Sequence, residues 1–275
     1  MKKSRKAAET IKVIVLILCC ILFLLPVYFL VMNSFKSLNE ILISFISLPK
    51  QFTLRNYAGA MEKINYLRTF GNTLFLTVGS VLLTLIVCSL AGYKIQRTRS
   101  KISKITKSYM AIGQMVPFAV IMVPLSQILG KLGINNNLPG LLFVYCAMYI
   151  PMMTFVYSGY CDSISEQLDE AATIDGASKT KQFFSITIPM ITPVIFYNLV
   201  TQIAQAFQEF NGPYIITQGG PRNATTLVSL LVYNYAFKSN EMGMACALAW
   251  VMFIAVALLT VIAFTSQKHW VYYAD

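Results

Sequence analysis

The chain has 275 residues, of which 56% are apolar and 12% charged, with a formal net charge of +11 and a mean hydropathy of +0.62. A soluble domain of this length buries a sufficient core with far less apolar content, so the composition excludes an ordinary soluble fold and requires several membrane spans. A nucleic-acid partner is excluded by the placement of the charge, which flanks apolar runs and occupies no basic soluble domain.

A bilayer core takes roughly 20 mostly apolar residues per helical span. Six stretches meet that length, at 12–33, 72–95, 106–129, 138–160, 191–217 and 242–267, so the expected fold is an all-α integral membrane protein with six transmembrane helices. The first span follows Lys2, Lys3, Arg5 and Lys6 and opens on Lys12. A cleaved leader has the same basic start, but this apolar run is long, contains Pro26 and precedes no small-x-small cleavage site, so a retained span is expected.

The connection 34–71 mixes Lys36, Lys50, Arg55, Lys63 and Arg68 with Glu40 and Glu62. Lys94, Arg97, Arg99, Lys101, Lys104 and Lys107 crowd the connection between spans two and three. Basic flanks mark cytoplasmic segments, which puts both termini and the loops 94–107 and 161–190 on the cytoplasmic side. Pro117, Pro124 and Pro151 fall inside spans, where neighbouring helices can satisfy the backbone groups a proline frees.

Between spans four and five the chain turns polar, over 161–190. Ser163 followed by Glu166 fits a capping box, Glu166, Glu170, Ala171 and Ala172 are good helix formers, and Gly176 suits a left-handed helix end. Leu168, Ala171, Ala172 and Asp175 recur at helical spacing and form a face of small and apolar groups able to nest in a groove. Ser178 is placed to cap a second short helix running to Pro189. Periodicity leaves two readings open: a docking element for another protein, or an amphipathic helix lying on its own chain.

Span five is polar for its depth. Asn198, Thr201, Gln202, Gln205, Gln208 and Glu209 recur three or four apart, and Phe207, Phe210 and Tyr214 add aromatic faces. Intramembrane polar groups usually face a bundle interior or a water-filled path, and amides, carboxylates and aromatic rings suit sugar hydroxyls and sugar faces. Bonding between helices is the competing explanation. Gln114 and Gln127, beside Pro117 and Pro124, are secondary candidates for the same path. After the span, Gln218-Gly219-Gly220-Pro221 reads as an outward turn. Trp270, Tyr272 and Tyr273 fit an interfacial aromatic belt.

Catalysis has no visible support. The one Gly-Lys pair, Gly130-Lys131, lacks the flanking residues of a phosphate loop, so ATP hydrolysis, with its magnesium, is expected on another chain. His269 is the single histidine, and the six cysteines lie within or at the ends of apolar runs, where thiols behave as small hydrophobes. No enzyme, metal site or cofactor is expected in this chain.

Glu170-Ala171-Ala172, then Gly176, then Ile186-Thr187-Ile188-Pro189 resembles the signature loop of permease subunits in binding-protein-dependent ABC importers. Two positions depart from that pattern: Ile188 stands where the family has leucine, and Ile164-Ser165 where it often has Ile-Pro. Asn33-Ser34-Phe35-Lys36, Leu48-Pro49, Asn56-Tyr57, Gln218-Gly219-Gly220-Pro221 and Ala247-Leu248-Ala249-Trp250 are similar to the carbohydrate, maltose-type branch. The resemblance implies that Glu170, Ala171, Ala172, Asp175 and Gly176 form a helix coupled to cytoplasmic ATPase subunits. It also implies a second permease chain in a heterodimer, and an external solute-binding protein touching Gly219, Gly220 and Pro221. A sugar would then pass Asn198, Gln202, Gln205, Gln208, Glu209, Phe210 and Tyr214, in the cytoplasmic membrane of a prokaryote. The alternatives are an importer permease for a non-sugar solute and a carrier or channel independent of ATP.

Overall fold

The computed structural model describes residues 2–62, 66–98 and 100–273, with side chains from residue 9 onward. Lys63 and Arg99, and the side chains of Lys2, Lys3, Arg5 and Lys6, lie outside the described residues. In chain order the helices are α1 (Lys2–Ser34), α2 (Leu38–Ile43), α3 (Arg55–Glu62), α4 (Tyr66–Thr98), α5 (Lys101–Gly113), α6 (Phe118–Lys131), α7 (Leu138–Ser163), α8 (Glu166–Ile174), α9 (Lys179–Gln182), α10 (Ile188–Gln208), α11 (Val228–Tyr233) and α12 (Met242–Trp270). π-type turns at Phe183–Thr187, Pro213–Thr217 and Asn234–Lys238 extend α9, follow α10 and extend α11. The described residues contain no strand.

Among the described residues, five helical stretches are long and apolar enough to cross a membrane: α1 from Glu9, α4, α7, the run Lys179–Thr217, and α12. The expected third span, 106–129, is instead the pair α5 and α6, bent by 103°, and it makes a sixth span only if the pair is counted as one. Pro117 explains the break. Proline lacks an N–H and pushes the preceding residue out of the helical region, and Pro117 itself is extended (φ −61°, ψ 131°) where α6 begins.

The chain divides into two compact units: Met1–Tyr66 with Leu231–Phe253, and Leu67–Leu230 with Ile254–Asp275. In the first unit, the end of α1 is closed by the segment that follows it. Asn33 Nδ2 donates to the Phe29 and Phe45 carbonyls (2.7 and 3.1 Å), and Asn56 Nδ2 to those of Ser34 and Lys36 (both 2.8 Å). Lys36 is fully buried, and its ammonium donates to the carbonyls of Ser44 and Phe45 at 3.1 and 3.3 Å. Phe35 stacks on Phe52 with ring centroids 4.2 Å apart, and the Tyr57 hydroxyl lies 2.8 Å from Ser34 Oγ. Burial raises the Tyr57 pKa more than the Ser34 bond lowers it, so the phenol stays protonated at neutral pH. The tetrad Asn33–Lys36 and the pair Asn56-Tyr57 are thus parts of one seal. Along α1, side chains from Ile11 to Phe23 face outward.

The second unit is built on α4, α7 and α10. One apolar cluster joins Leu76, Leu141, Val144, Tyr145 and Ala206 with Leu129 and Ile216, and another joins Cys88, Met153, Tyr157, Cys161, Ile191 and Val194. Lipid is as apolar as these side chains, so close packing rather than water release holds the helices together. The contact is tightest at Gly92, where a Cβ would stand 2.7 Å from Tyr157 Cβ and 2.9 Å from Ser158 N. Gly71, on the same helix, has nothing within 4 Å of its own Cβ position. Gly92→Ala is therefore expected to lower the melting temperature in detergent by an overpacking cost of roughly 1–3 kcal/mol, while Gly71→Ala does not. Equal melting temperatures for the two variants would contradict the close approach.

Candidate functional site

The loop between α7 and α10 forms the expected helix, with a different start. α7 runs through Ser163, whose hydroxyl donates back to the Tyr160 carbonyl at 2.7 Å, so Ser163 ends one helix instead of capping the next. Ile164 leaves the helical region, and Ser165 caps α8 by accepting from the Gln167 N–H. The far end follows the expectation. Gly176 takes φ +80°, and the N–H groups of Gly176 and Ala177 donate to the carbonyls of Thr173 and Ala172 (3.1 and 2.8 Å). Ser178 caps α9, which continues through the turn Phe183–Thr187 into α10 without a break.

α8 has two working faces. Leu168, Ala171 and Ile174 look outward with Asp175 beside them, and Ile174 is 87% exposed. Ala172 is half-buried, so the outward stripe passes through Ile174, which the sequence pattern did not single out. Glu166, Asp169 and Thr173, at the same three- and four-residue spacing, turn inward. There Arg97, at the end of α4, places Nε 2.8 Å from Asp169 Oδ2 and Nη1 3.9 Å from Glu166 Oε1, and Nη2 donates to the Ile164 carbonyl at 3.1 Å. The Arg97 and Asp169 side chains are 12% and 9% exposed. Thr173 Oγ1 accepts from Gln182 Nε2 at 2.8 Å, and the same nitrogen donates to the Ala177 carbonyl at 3.0 Å. Glu170 forms no ion pair among the described residues and lines a groove of about 660 Å³ with Lys94, Lys179 and Phe184. Sequence reasoning did not find Arg97 or Asp169 as site residues; their partnership spans loops, and only the basic–acidic character of each was visible.

The polar stripe of α10 separates into two faces. Asn198 and Gln202 are buried, whereas Gln205 and Gln208 are exposed. Gln202 Oε1 accepts from Thr84 Oγ1 of α4 at 2.7 Å, so part of the stripe does bond between helices. Gln202 Nε2 makes no hydrogen bond among the described residues, and the buried Asn198 amide lies beside the Tyr157 hydroxyl without a bond of good geometry. Glu209 does not continue the stripe: α10 ends at Gln208 and Glu209 is extended. Its carboxylate accepts from the Gly212 N–H at 3.1 Å, and its carbonyl accepts from Ser229 Oγ at 2.6 Å. Phe210 stacks on Tyr214 at 4.8 Å, while Phe207 is wholly buried and packs on Phe70. Gln114 and Gln127 are exposed on α5 and α6.

The turn after this segment is more elaborate than a plain connection. Gly219 is buried at φ +81°, and a Cβ there would meet Thr226 Oγ1 at 2.5 Å. Gln218, Arg222 and Asn223 also have positive φ, and the Gly220–Pro221 peptide is cis. Asn72 Nδ2 donates to the Ala224 and Thr226 carbonyls (3.0 and 3.2 Å), strapping the loop to α4. Pro221, Arg222 and Asn223 are left exposed. At the other end of the unit, Trp270 meets Phe196 edge-on, and the Tyr272 N–H donates to Thr192 Oγ1.

The family model described as "Binding-protein-dependent transport system inner membrane component" matches residues 84–271. The chain is similar to the multiple sugar-binding transport system permease protein MsmG of Streptococcus mutans, at 32% identity over 98% of this chain and 96% of that one. It is also similar to the probable starch degradation products transport system permease protein AmyC of Thermoanaerobacterium thermosulfurigenes, at 30% identity over 90% and 88%. Its fold matches a chain of a bacterial ABC transporter involved in the import of the acidic polysaccharide alginate, with a TM-score of 0.77, 18% identity and 97% of each chain covered.

The division of the polar stripe predicts unequal responses to substitution. Thr84→Val is expected to destabilise the protein by about 0.6 kcal/mol and at most about 1.7 kcal/mol, the range for hydrogen bonds between membrane helices. Gln205→Ala should leave the melting temperature in detergent unchanged. A double-mutant cycle of Thr84→Val with Gln202→Leu measures the pair directly, and a coupling energy of zero would remove the bond.

Proposed function

This chain belongs to the family of binding-protein-dependent transport system inner membrane components, and from that premise we propose that it is a permease subunit of an ATP-driven sugar importer. It would carry a sugar or oligosaccharide across the cytoplasmic membrane of a prokaryote by alternating access. The observation that carries the reading is α8: a short, capped helix between two spans, with an apolar stripe turned outward and a left-handed glycine at its end. A sugar as cargo is supported by the sugar and starch-product systems named for the two permease relatives. An ATP-independent carrier or channel is not favoured, since the family match runs through the whole α8 loop.

In this reading Glu170, Ala171, Ala172, Asp175 and Gly176 couple the chain to separate ATPase subunits, which hold ATP and magnesium, and Leu168 and Ile174 join them as contact residues. The basic flanks place this loop and both termini on the cytoplasmic side. A second permease completes the pathway as a heterodimer partner. Asn198, Gln202, Gln205, Gln208, Glu209, Phe210 and Tyr214 line the path. The unbonded Gln202 Nε2 supports this, because a buried polar group without a partner costs about 1–3 kcal/mol and regains that when a moving bundle exposes it to water or cargo. An external solute-binding protein meets the exposed Pro221, with buried Gly219 and the adjoining Gly220 setting the shape of the loop.

Ile174→Glu puts a charge in the outward stripe without touching the inward face, and Gly176→Val strains the left-handed turn. Both variants should insert normally, yet lower ATPase-driven uptake in proteoliposomes by roughly tenfold or more, the effect of losing about 1.4 kcal/mol of docking free energy. Uptake at the wild-type level in Ile174→Glu would remove α8 from the coupling.

A further inference from the structure

We propose that Arg97 is a positioning residue that makes α4 an output of the coupling helix, resting on the importer reading above. α8 is joined to two other helices through the chain itself. It follows α7 after Ile164-Ser165, and it leads into α10 through α9, where Gln182 clamps Thr173 and Ala177. No comparable covalent route reaches α4, which ends some 70 residues earlier in the chain.

Arg97 supplies that route. Arg97 Nη2 donates to the Ile164 carbonyl in the hinge before α8, and the guanidinium is ion-paired with Asp169 in the first turn of α8 (Nε to Oδ2 2.8 Å), with Glu166 farther off at 3.9 Å and no geometrically sound hydrogen bond from Nε. A planar guanidinium tied to a carbonyl and a carboxylate fixes direction as well as distance, which a lysine on a flexible stem does not. The contacts lie on the inward face of α8, opposite Leu168, Ala171 and Ile174, so a partner docked on the outward face leaves them intact. A buried ion pair contributes little net stability, because desolvation offsets the attraction; its effect here is to define geometry. The motion has somewhere to go. About 7.5 Å before Arg97 along α4, Gly92 brings the α4 and α7 backbones into contact, and further along Thr84 bonds to Gln202 of α10. Displacement of α8 is thereby delivered to α4 at its end and passed to the buried polar residues of α10.

The test uses the complex purified with its ATPase subunits, second permease and solute-binding protein, reconstituted in proteoliposomes. The readout is ATP hydrolysed per molecule of labelled maltotriose or alginate trisaccharide imported, a ratio that does not depend on how much complex is folded. Arg97→Gln is expected to raise this ratio about fivefold or more, the low end of coupling between linked sites. Arg97→Lys should recover part of the loss. Asp169→Asn keeps shape and polarity and should raise the ratio as well; it supplies the answer where Arg97→Gln does not assemble. A wild-type ratio in assembled Arg97→Gln or in Asp169→Asn overturns the role of Arg97. Absence of ATP-dependent import by the wild-type complex of these two sugars and of labelled melibiose, raffinose, stachyose and monosaccharides contradicts the sugar-importer reading itself.

Discussion

Where a helix of this chain stops in buried or apolar surroundings, open backbone groups must find partners within the protein, since such surroundings make an unmet carbonyl or amide costly. Many of the scarce polar side chains answer that constraint. Asn33, Lys36 and Asn56 close the end of α1. Asn72 and Thr73 hold the loop before α11, with Thr73 accepting from the Val228 N–H. Glu209 and Ser229 secure the end of α10, and Arg97 holds the carbonyl between α7 and α8. Among the polar residues that serve no helix end, the exposed Gln205 and Gln208 and the unbonded Gln202 Nε2 stand out.

The same constraint shapes how force can travel. Helices linked only by dispersion contacts can slide, whereas helices pinned at their ends move as units. α4 is pinned to the α8 hinge by Arg97, pressed on α7 at Gly92 and bonded to α10 at Thr84. α8 itself is only nine residues long and its one buried side chain is the charged Asp169, so its position is set by polar bonds on one face. The free face then carries the apolar stripe through Ile174. A lever whose fixed side is polar and whose working side is apolar keeps the two sets of contacts from competing.

Much of this was legible in the sequence, and the failures have physical causes. Apolar run lengths located the crossing helices, because a bilayer imposes a length on them. Gly176 was readable as a helix end, since few other residues take positive φ cheaply. The loop's start was misplaced by two residues: Ser163 and Ser165 are both capping types, and the choice depended on how far α7 continued. Pro117 was visible, but a proline alone fixes the place of a break and not its angle, so the 103° bend was not legible. Glu209 fitted the helical period of its predecessors and still left the helix, because Ser229 and Gly212 hold it in the turn. Periodicity describes one helix at a time. The partners of Arg97, Gln202 and Asn72 sit on other helices and loops, and nothing in a single sequence pairs them.

The seal at the end of α1 has a consequence for the order of synthesis. Its bonds join residues 4 to 23 positions apart, from Asn33 with Phe29 to Ser34 with Tyr57. The strap from Asn72 reaches 152 and 154 positions ahead, and the Thr73 bond 155. A nascent chain holds everything the seal requires once Tyr57 has emerged, including the carbonyls that receive the buried Lys36 ammonium. The helix with the most apolar crossing stretch among the described spans, and the cation at its edge, can therefore be settled in the bilayer by local contacts, while the loop before α11 stays open until the ribosome has passed residue 228.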